Sequence, residues 1–413
     1  MSIETITGRI ATNLEALKQF TATPGNGCTR LPFTKEAREA VDYLRGVMTE
    51  AGLEVHEDAA GNIFGVLKGE DPTAPCIMMG SHYDSVTNGG DFDGIAGVVC
   101  AIEVARQLKE KGIQPKRNFV AVGFCDEEGL RFGTGYFGSG AMLGNRDVEY
   151  CRNFKDKDGI SIYDAMKTYG LDPERIGEAK WPEGSIGSFL ELHIEQGPVL
   201  DAEGLELGLV DCIVGIQRYM VTVHGRADHA GTTPMDMRLD AVDAATKVIS
   251  KIADWAREKA DGTVATTGYI KTVPGGMNIV AEKVEFTVDI RSSNNDNIND
   301  IAKRIRAALD HEVKAMGGSY EIDTKLVITP VHLSQEMLGM MEEDCKAQGY
   351  SYKRLASGAG HDALEIGQVI PTVMLFVPSK DGRSHCPVEF TRYSEFAKAS
   401  VIMSNLAQKL LLK

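Results

Sequence analysis

The 413-residue chain is expected to adopt an α/β fold, a mixed and mostly parallel sheet interrupted by an inserted α+β unit of ferredoxin-like order. Three observations predict it. Apolar strand-like runs alternate with helix-spaced segments through the first half of the chain. Between residues 213 and 327 the rhythm changes to strand, helix, strand, strand, helix, strand. After that the helix–strand alternation resumes. At roughly 150 residues per domain, the length also calls for more than one unit. The expected division is 1–212 with 328–413, and 213–327 inserted between them.

The elements follow in order. In "KEAREAVDYLRGVMTEAG" the residues Ala40, Val41, Leu44, Val47 and Met48 repeat at helical spacing, and Gly52 stops the helix. "NIFGVLKG" and "APCIMMG" read as strands, and "GIAGVVCAIEVARQLKEKG" as a helix closing on Gly112. "RNFVAVGF" and "SFLELHIEQG" are strands again. In the inserted stretch, "IQRYMVTVH" is a strand and "DAVDAATKVISKIADWAREKA" a helix. "TVATTGYIKTV" and "KVEFTVDIR" are expected as single strands joined through "PGGMN". A second helix aligns Ile301, Ile305, Leu309, Val313 and Met316, and "SYEIDTKLV" closes the set. Helix 334–349, strand "IPTVMLFVPS" and a helix from about 391 to 413 complete the chain.

Composition excludes several classes. With 44 basic against 59 acidic residues the net charge is −15, which argues against nucleic-acid or anionic-membrane surfaces. No apolar stretch approaches the ~18 residues of a membrane span, and the N-terminus lacks a signal-peptide pattern. Eight cysteines are scattered without CxxC pairs, as in a reduced, cytoplasmic protein.

Four clusters carry chemistry, each at an expected strand end, where open α/β sheets bind ligands. "GSHYDSVTNGGDFDG" offers His82 and Asp84 two residues apart, with Asp84 placed to orient His82, and then Asp93. Taken singly, Asp93 reads as a helix N-cap. "GFCDEEGLRF" offers adjacent carboxylates, Glu127 and Glu128, which on an extended chain point apart and can serve two tasks. "SFLELHIEQG" lines up Glu191, His193 and Glu195 on one side of a buried strand. "DGRSHCPVEF" puts His385 in a loop after an apolar strand. Together His82, Asp93, Glu128, His193 and His385 supply three imidazoles and two carboxylates. That set can hold two divalent ions if one carboxylate bridges, and it suits Zn²⁺, Mn²⁺, Co²⁺ or Ni²⁺. In "KVEFTVDIR", Arg291 falls on the polar face, available to a carboxylate or to an ion pair with Asp289 or Glu285.

With these motifs in place, the chain resembles the N-carbamoyl-L-amino acid hydrolase and allantoate amidohydrolase family, within the dinuclear-metal aminoacylases and peptidases. The resemblance spans essentially the whole chain. It rests on "GSHYDSVTNGGDFDG", "DEEGLRF", "ELHIEQGPVL", "GRADHAGTTPM", "GGMNIV", "SGAGHDA" and "SHCPVE", in that order. It implies that His82 and His193 hold one ion, Glu128 and His385 the other, and that Asp93 bridges them. It further implies Glu127 as general base, Gln196, His229, Asn278, Arg291 and Gly360 as substrate contacts, and His229 with Asn278 as oxyanion donors. A small anionic ureido substrate, a lid closing over the site and a homodimer through the inserted unit are also implied. The expected reaction is hydrolysis of a carbamoyl group with release of carbon dioxide and ammonia. The alternative is an aminoacylase or peptidase using the same metals on an ordinary amide, although such peptidases usually carry a carboxylate where His193 stands. Two departures are Ala281, where the family usually has Pro, and Cys386 beside His385.

Overall fold

A computed structural model describes residues 2–413, and these form two compact units. The first takes in everything up to Asp211 and then Leu333–Lys413; the second is Cys212–His332. The second unit is longer at both ends than the expected 213–327. Val331 and His332 pair with Ile213 and Cys212, so the strands entering and leaving it are tied together.

Among the described residues, one sheet has nine strands, all in the first unit except Val331–His332 and the last two residues of Leu207–Ile213. They are β1 (Glu54–Glu57), β2 (Ile63–Leu67), β3 (Cys76–His82), β4 (Phe119–Phe124), β5 (Ile186–Ile194), β6 (Leu207–Ile213), β7 (Val331–His332), β8 (Tyr352–Ser357) and β9 (Thr372–Val377). Their order is β1-β2-β4-β3-β5-β9-β6-β7, with β8 also beside β6. The centre, β4-β3-β5-β9, is parallel, and the margins are antiparallel. β3, β4 and β9 are buried along their whole length, as parallel strands covered on both faces must be. Register places the carboxyl ends together: His82 pairs with Phe124, and His193 with Phe376. The loops that leave those ends carry the candidate site.

In the core, α1 (Ile3–Leu17), α3 (Ile95–Glu110) and α4 (Tyr393–Leu411) pack against one another, and α2 (Lys35–Glu50), part of the same cluster, packs on β1 and β2. α2 starts where the Thr34 hydroxyl accepts the Ala37 N–H, and it buries Ala40, Val41, Leu44, Val47 and Met48, the stripe read from sequence. α3 is buried on almost every side, so its run of Ala and Val reflects burial more than amphipathicity. No helix among the described residues is long and apolar enough to cross a membrane.

The second unit has its own core, built on an antiparallel sheet. Its strands run in the order Ile270–Val273, Lys283–Ser292, Gly215–His224, Ser319–Ile328, with Val264–Thr266 also on Lys283–Ser292. Helices Ala241–Arg257 and Asn295–Ala315 bury Val248, Ile252, Ile301, Ile305 and Leu309 against it. "TVATTGYIKTV" is two short strands, not one. Both segments pair with Lys283–Ser292 at separate places, and the pairing is interrupted at Thr267–Tyr269.

Candidate metal centre

β3 delivers His82 and, just beyond it, Asp84. The His82 Nδ1–H donates to the backbone carbonyl of Asp84 at 3.1 Å, which leaves Nε2 as the free ligand atom. At the end of β5, His193 donates from Nδ1 to the Ile194 carbonyl at 2.9 Å and also turns Nε2 inward. Asp93 comes from the loop before α3. It does not cap that helix: Gly94 is the N-cap residue and no side chain caps it. The reason for a glycine there is steric. With φ at +65°, a Cβ on Gly94 would lie 2.3 Å from the His82 ring.

The two oxygens of Asp93 have different neighbours. Oδ1 lies 3.4 Å from His82 Nε2 and 3.2 Å from His193 Nε2, and it is buried without a hydrogen-bond donor among the described residues. Oδ2 lies 3.3 Å from His385 Nε2, which is 3.5 Å from Glu128 Oε1. Two donor sets therefore share one carboxylate: His82, Asp93 and His193, and Asp93, Glu128 and His385. Donors on a tetrahedral ion bound at about 2.1 Å stand about 3.4 Å apart, so these separations fit metal coordination. The orphaned Oδ1 and the N/O donor chemistry agree with that fit.

Glu127 and Glu128 do not point apart. β4 ends at Phe124, and Asp126 turns the chain with φ at +59°, so both carboxylates converge on His82. Glu127 Oε2 is 3.8 Å from His82 Nε2. Asp84 makes this bend possible: its Oδ1 accepts the Glu127 N–H at 3.0 Å and its Oδ2 the Glu128 N–H at 3.2 Å. Its Oδ1 is 3.5 Å from His82 Nδ1, so its carboxylate orients the acidic turn more directly than the imidazole.

Electrostatically the cluster needs cations. Burial drives the Glu127 carboxyl well above the usual range, with Glu128, Asp362 and Asp84 adding to the rise. Burial and Asp93 push Glu128 up to about 7. Burial also opposes ionisation of Asp93, but His193, His385 and His82 outweigh it and hold that carboxyl well below its ordinary value. Hydrogen bonding to Asp93 raises His385 to about 9.

Gln196 and His385 both take left-handed backbone conformations, φ +57° and +55°, a strain that gathers at functional sites. The Gln196 amide Nε2 donates to Asp93 Oδ2 at 2.7 Å and reaches His385 Nε2 at 3.2 Å. Gly360 faces the Tyr136 hydroxyl, which would sit 1.8 Å from any Cβ there. In the second unit, His229 Nδ1 accepts the N–H groups of Gly231 and Thr232 at 3.0 and 3.2 Å, so its proton is on Nε2, and the ring is exposed. Asn278, also exposed, gives its carbonyl to the Ala230 N–H. Arg291 donates to Asp289 at 2.8 and 3.3 Å, the ion pair that its strand position allows.

Sequence reading missed several residues. His361 stacks edge-on against His193 with ring centroids 4.5 Å apart and is buried beside Ser357. Asp362 is a fully buried carboxylate whose oxygens find no donor among the described residues. "SGAGHDA" held both in plain view, but a His–Asp pair in a loop has no local signature. Glu191 and Glu195, grouped with His193 by alternation, have structural tasks. Glu191 joins Ser81 Oγ to the Ala363 N–H, and Glu195 accepts the Val199 and Leu200 N–H groups. Cys125, beside the acidic turn, is buried, and desolvation pushes its thiol far above its ordinary value, which makes it unfit as a nucleophile.

Comparison with known proteins places this geometry. The model of peptidase family M20/M25/M40 matches residues 78–409. An N-carbamoyl-L-amino-acid amidohydrolase of Paenarthrobacter aurescens is 39% identical over 97% of both chains. An allantoate amidohydrolase of Bacillus subtilis is 36% identical over 96% of both. The crystal structure of a hydantoinase/carbamoylase-family amidase from Burkholderia multivorans superposes with a TM-score of 0.88, at 31% identity over 97% of both chains. A metal-ready cluster at the carboxyl ends of a parallel sheet, and full-length likeness to these amidohydrolases, establish that the chain belongs to peptidase family M20/M25/M40.

Proposed function

We propose that this protein is a metal-dependent amidohydrolase that removes the carbamoyl group from an N-carbamoyl-L-amino acid or from allantoate. The observation that carries the reading is the sharing of Asp93 between two donor sets, with Glu127 alongside. The curated relatives over the full length act on carbamoyl and ureido C–N bonds by name, which sets the substrate class. His82 and His193 would hold one ion and Glu128 and His385 the other, with Asp93 between. Zn²⁺, Mn²⁺, Co²⁺ and Ni²⁺ all suit imidazole and carboxylate donors.

When bound, the ions supply a water acidified to near-neutral pKa and a Lewis acid for the carbamoyl oxygen. Glu127, beside His82, would take a proton from the attacking water and return it to the leaving nitrogen. His229, its Nε2–H fixed by two backbone donors on Nδ1, is a ready hydrogen-bond donor to the developing oxyanion, with Asn278. Arg291 receives the substrate carboxylate, in competition with Asp289. Gln196 and the backbone at Gly360 complete the substrate contacts. Carbon dioxide, ammonia and an amine are the products.

We read the second unit as a lid and as the face of a homodimer, supported by its exposed Met235, Met237, Ile270, Met277 and Val327. The cytoplasm is the proposed location, consistent with eight cysteines scattered along the sequence without CxxC pairs. The test is ammonia release from a panel of N-carbamoyl-L-amino acids, allantoate and dipeptides, with Mn²⁺ or Zn²⁺ added and with chelator. Turnover of dipeptides alone would overturn the carbamoyl assignment in favour of a peptidase.

A further inference from the structure

One buried carboxylate outside the ligand set ties two of its segments together. Glu389 lies in the turn after His385, and its N–H donates to the Cys386 carbonyl at 3.1 Å. Its Oε1 accepts the backbone N–H groups of Phe92 and Asp93 at 3.0 and 3.1 Å. Its Oε2 is 2.6 Å from the Ser384 hydroxyl, which also lies 3.0 Å from Asp93 Oδ2. A hydroxyl carries one proton, so Ser384 serves one carboxylate at a time and links the two. The fit depends on a glycine: a Cβ on Gly90 would lie 1.9 Å from Glu389 Oε1. The contacts are one-sided. Oδ2, the oxygen facing His385, meets Ser384 and Gln196, whereas Oδ1, facing His82 and His193, has no donor among the described residues.

We propose that Glu389 is a positioning residue that sets Asp93 in register with His385, so that the metal position on the Oδ2 side depends on it and the position between His82 and His193 does not. This rests on the two-ion reading of the site.

The test titrates metal-free protein with Zn²⁺ against a chromophoric chelator, which resolves two dissociation constants. Glu389→Ala and Gly90→Ala are expected to weaken one by about 10–100-fold, the usual effect of removing a group that orients a ligand, and to leave the other unchanged. Ser384→Ala shifts the same constant by less. Glu389→Gln restores it, because the amide still accepts both N–H groups and donates to Ser384. Should Glu389→Ala fail to fold, Ser384→Ala and Gly90→Ala decide. The proposal is overturned if these variants keep both constants, if both constants weaken together, or if Glu389→Gln behaves like the alanine variant. Wild-type protein that takes up fewer than two ions would instead refute the two-ion reading itself.

Discussion

Asp84 and Glu127 are joined by a hydrogen bond from the Glu127 backbone N–H to Asp84 Oδ1, 3.0 Å long, and the other oxygen of Asp84 takes the N–H of Glu128. The end of β3 therefore shapes the acidic turn beyond β4. Asp84→Asn puts an NH₂ donor against one of those N–H groups. We expect metal affinity to drop by about 10–100-fold, measured by chelator competition. Unchanged affinity and turnover would show that the turn holds its shape alone.

In the proposed mechanism Glu127 handles protons and does not anchor an ion. Glu127→Gln is expected to lower kcat by about 10²–10⁴-fold while the metal content of the purified protein stays at the wild-type level. Near-normal turnover with metal retained would remove Glu127 from the base role.

Metal removal should cost stability as well as activity. Ions that bind the folded chain and not the unfolded one stabilise it by about 2.7 kcal/mol at a hundredfold excess over Kd. Extensive chelation should abolish ammonia release and lower Tm, and added Mn²⁺ or Zn²⁺ should restore both. Active protein free of transition metal after such treatment would defeat the mechanism.

Arg291 is paired with Asp289, and we propose that it also anchors the substrate carboxylate. Arg291→Lys keeps charge but loses the two-pronged geometry, so KM should rise for carboxylate-bearing substrates with a smaller change in kcat. An equal effect on a neutral ureide would mean that the arginine acts structurally.

Far from the site, Glu103 on α3 gives a pH signature. Burial raises its carboxyl from 4.5 to about 7, against the opposing pull of Arg9 from α1 and Arg106, and with Glu110 adding to the rise. The folded chain thus holds this proton where the unfolded chain has lost it. The associated stability is complete below about pH 4.5 and disappears as pH rises through about 7. Between pH 5 and 8, Tm should fall more steeply for wild type than for Glu103→Gln. Parallel curves would exclude Glu103 as the source.

Local pattern determined much of this protein. Helical spacing in "KEAREAVDYLRGVMTEAG", two-residue alternation in "KVEFTVDIR" and motif order were legible because they depend only on neighbours along the chain. So were the donor types, His82, Asp93, Glu128, His193 and His385, since imidazole and carboxylate in strand-end loops point to cations wherever they meet. What the tertiary structure alone decided is how those groups face one another. The left-handed turn at Asp126, which brings Glu127 and Glu128 to one side, is held by Asp84 from another strand. The division of Asp93 between an unpartnered oxygen and one met by Ser384 and Gln196 arises where loops about 100 and 290 residues away in sequence close on it. Such contacts are fixed by packing between distant segments, and no short window of sequence contains both partners.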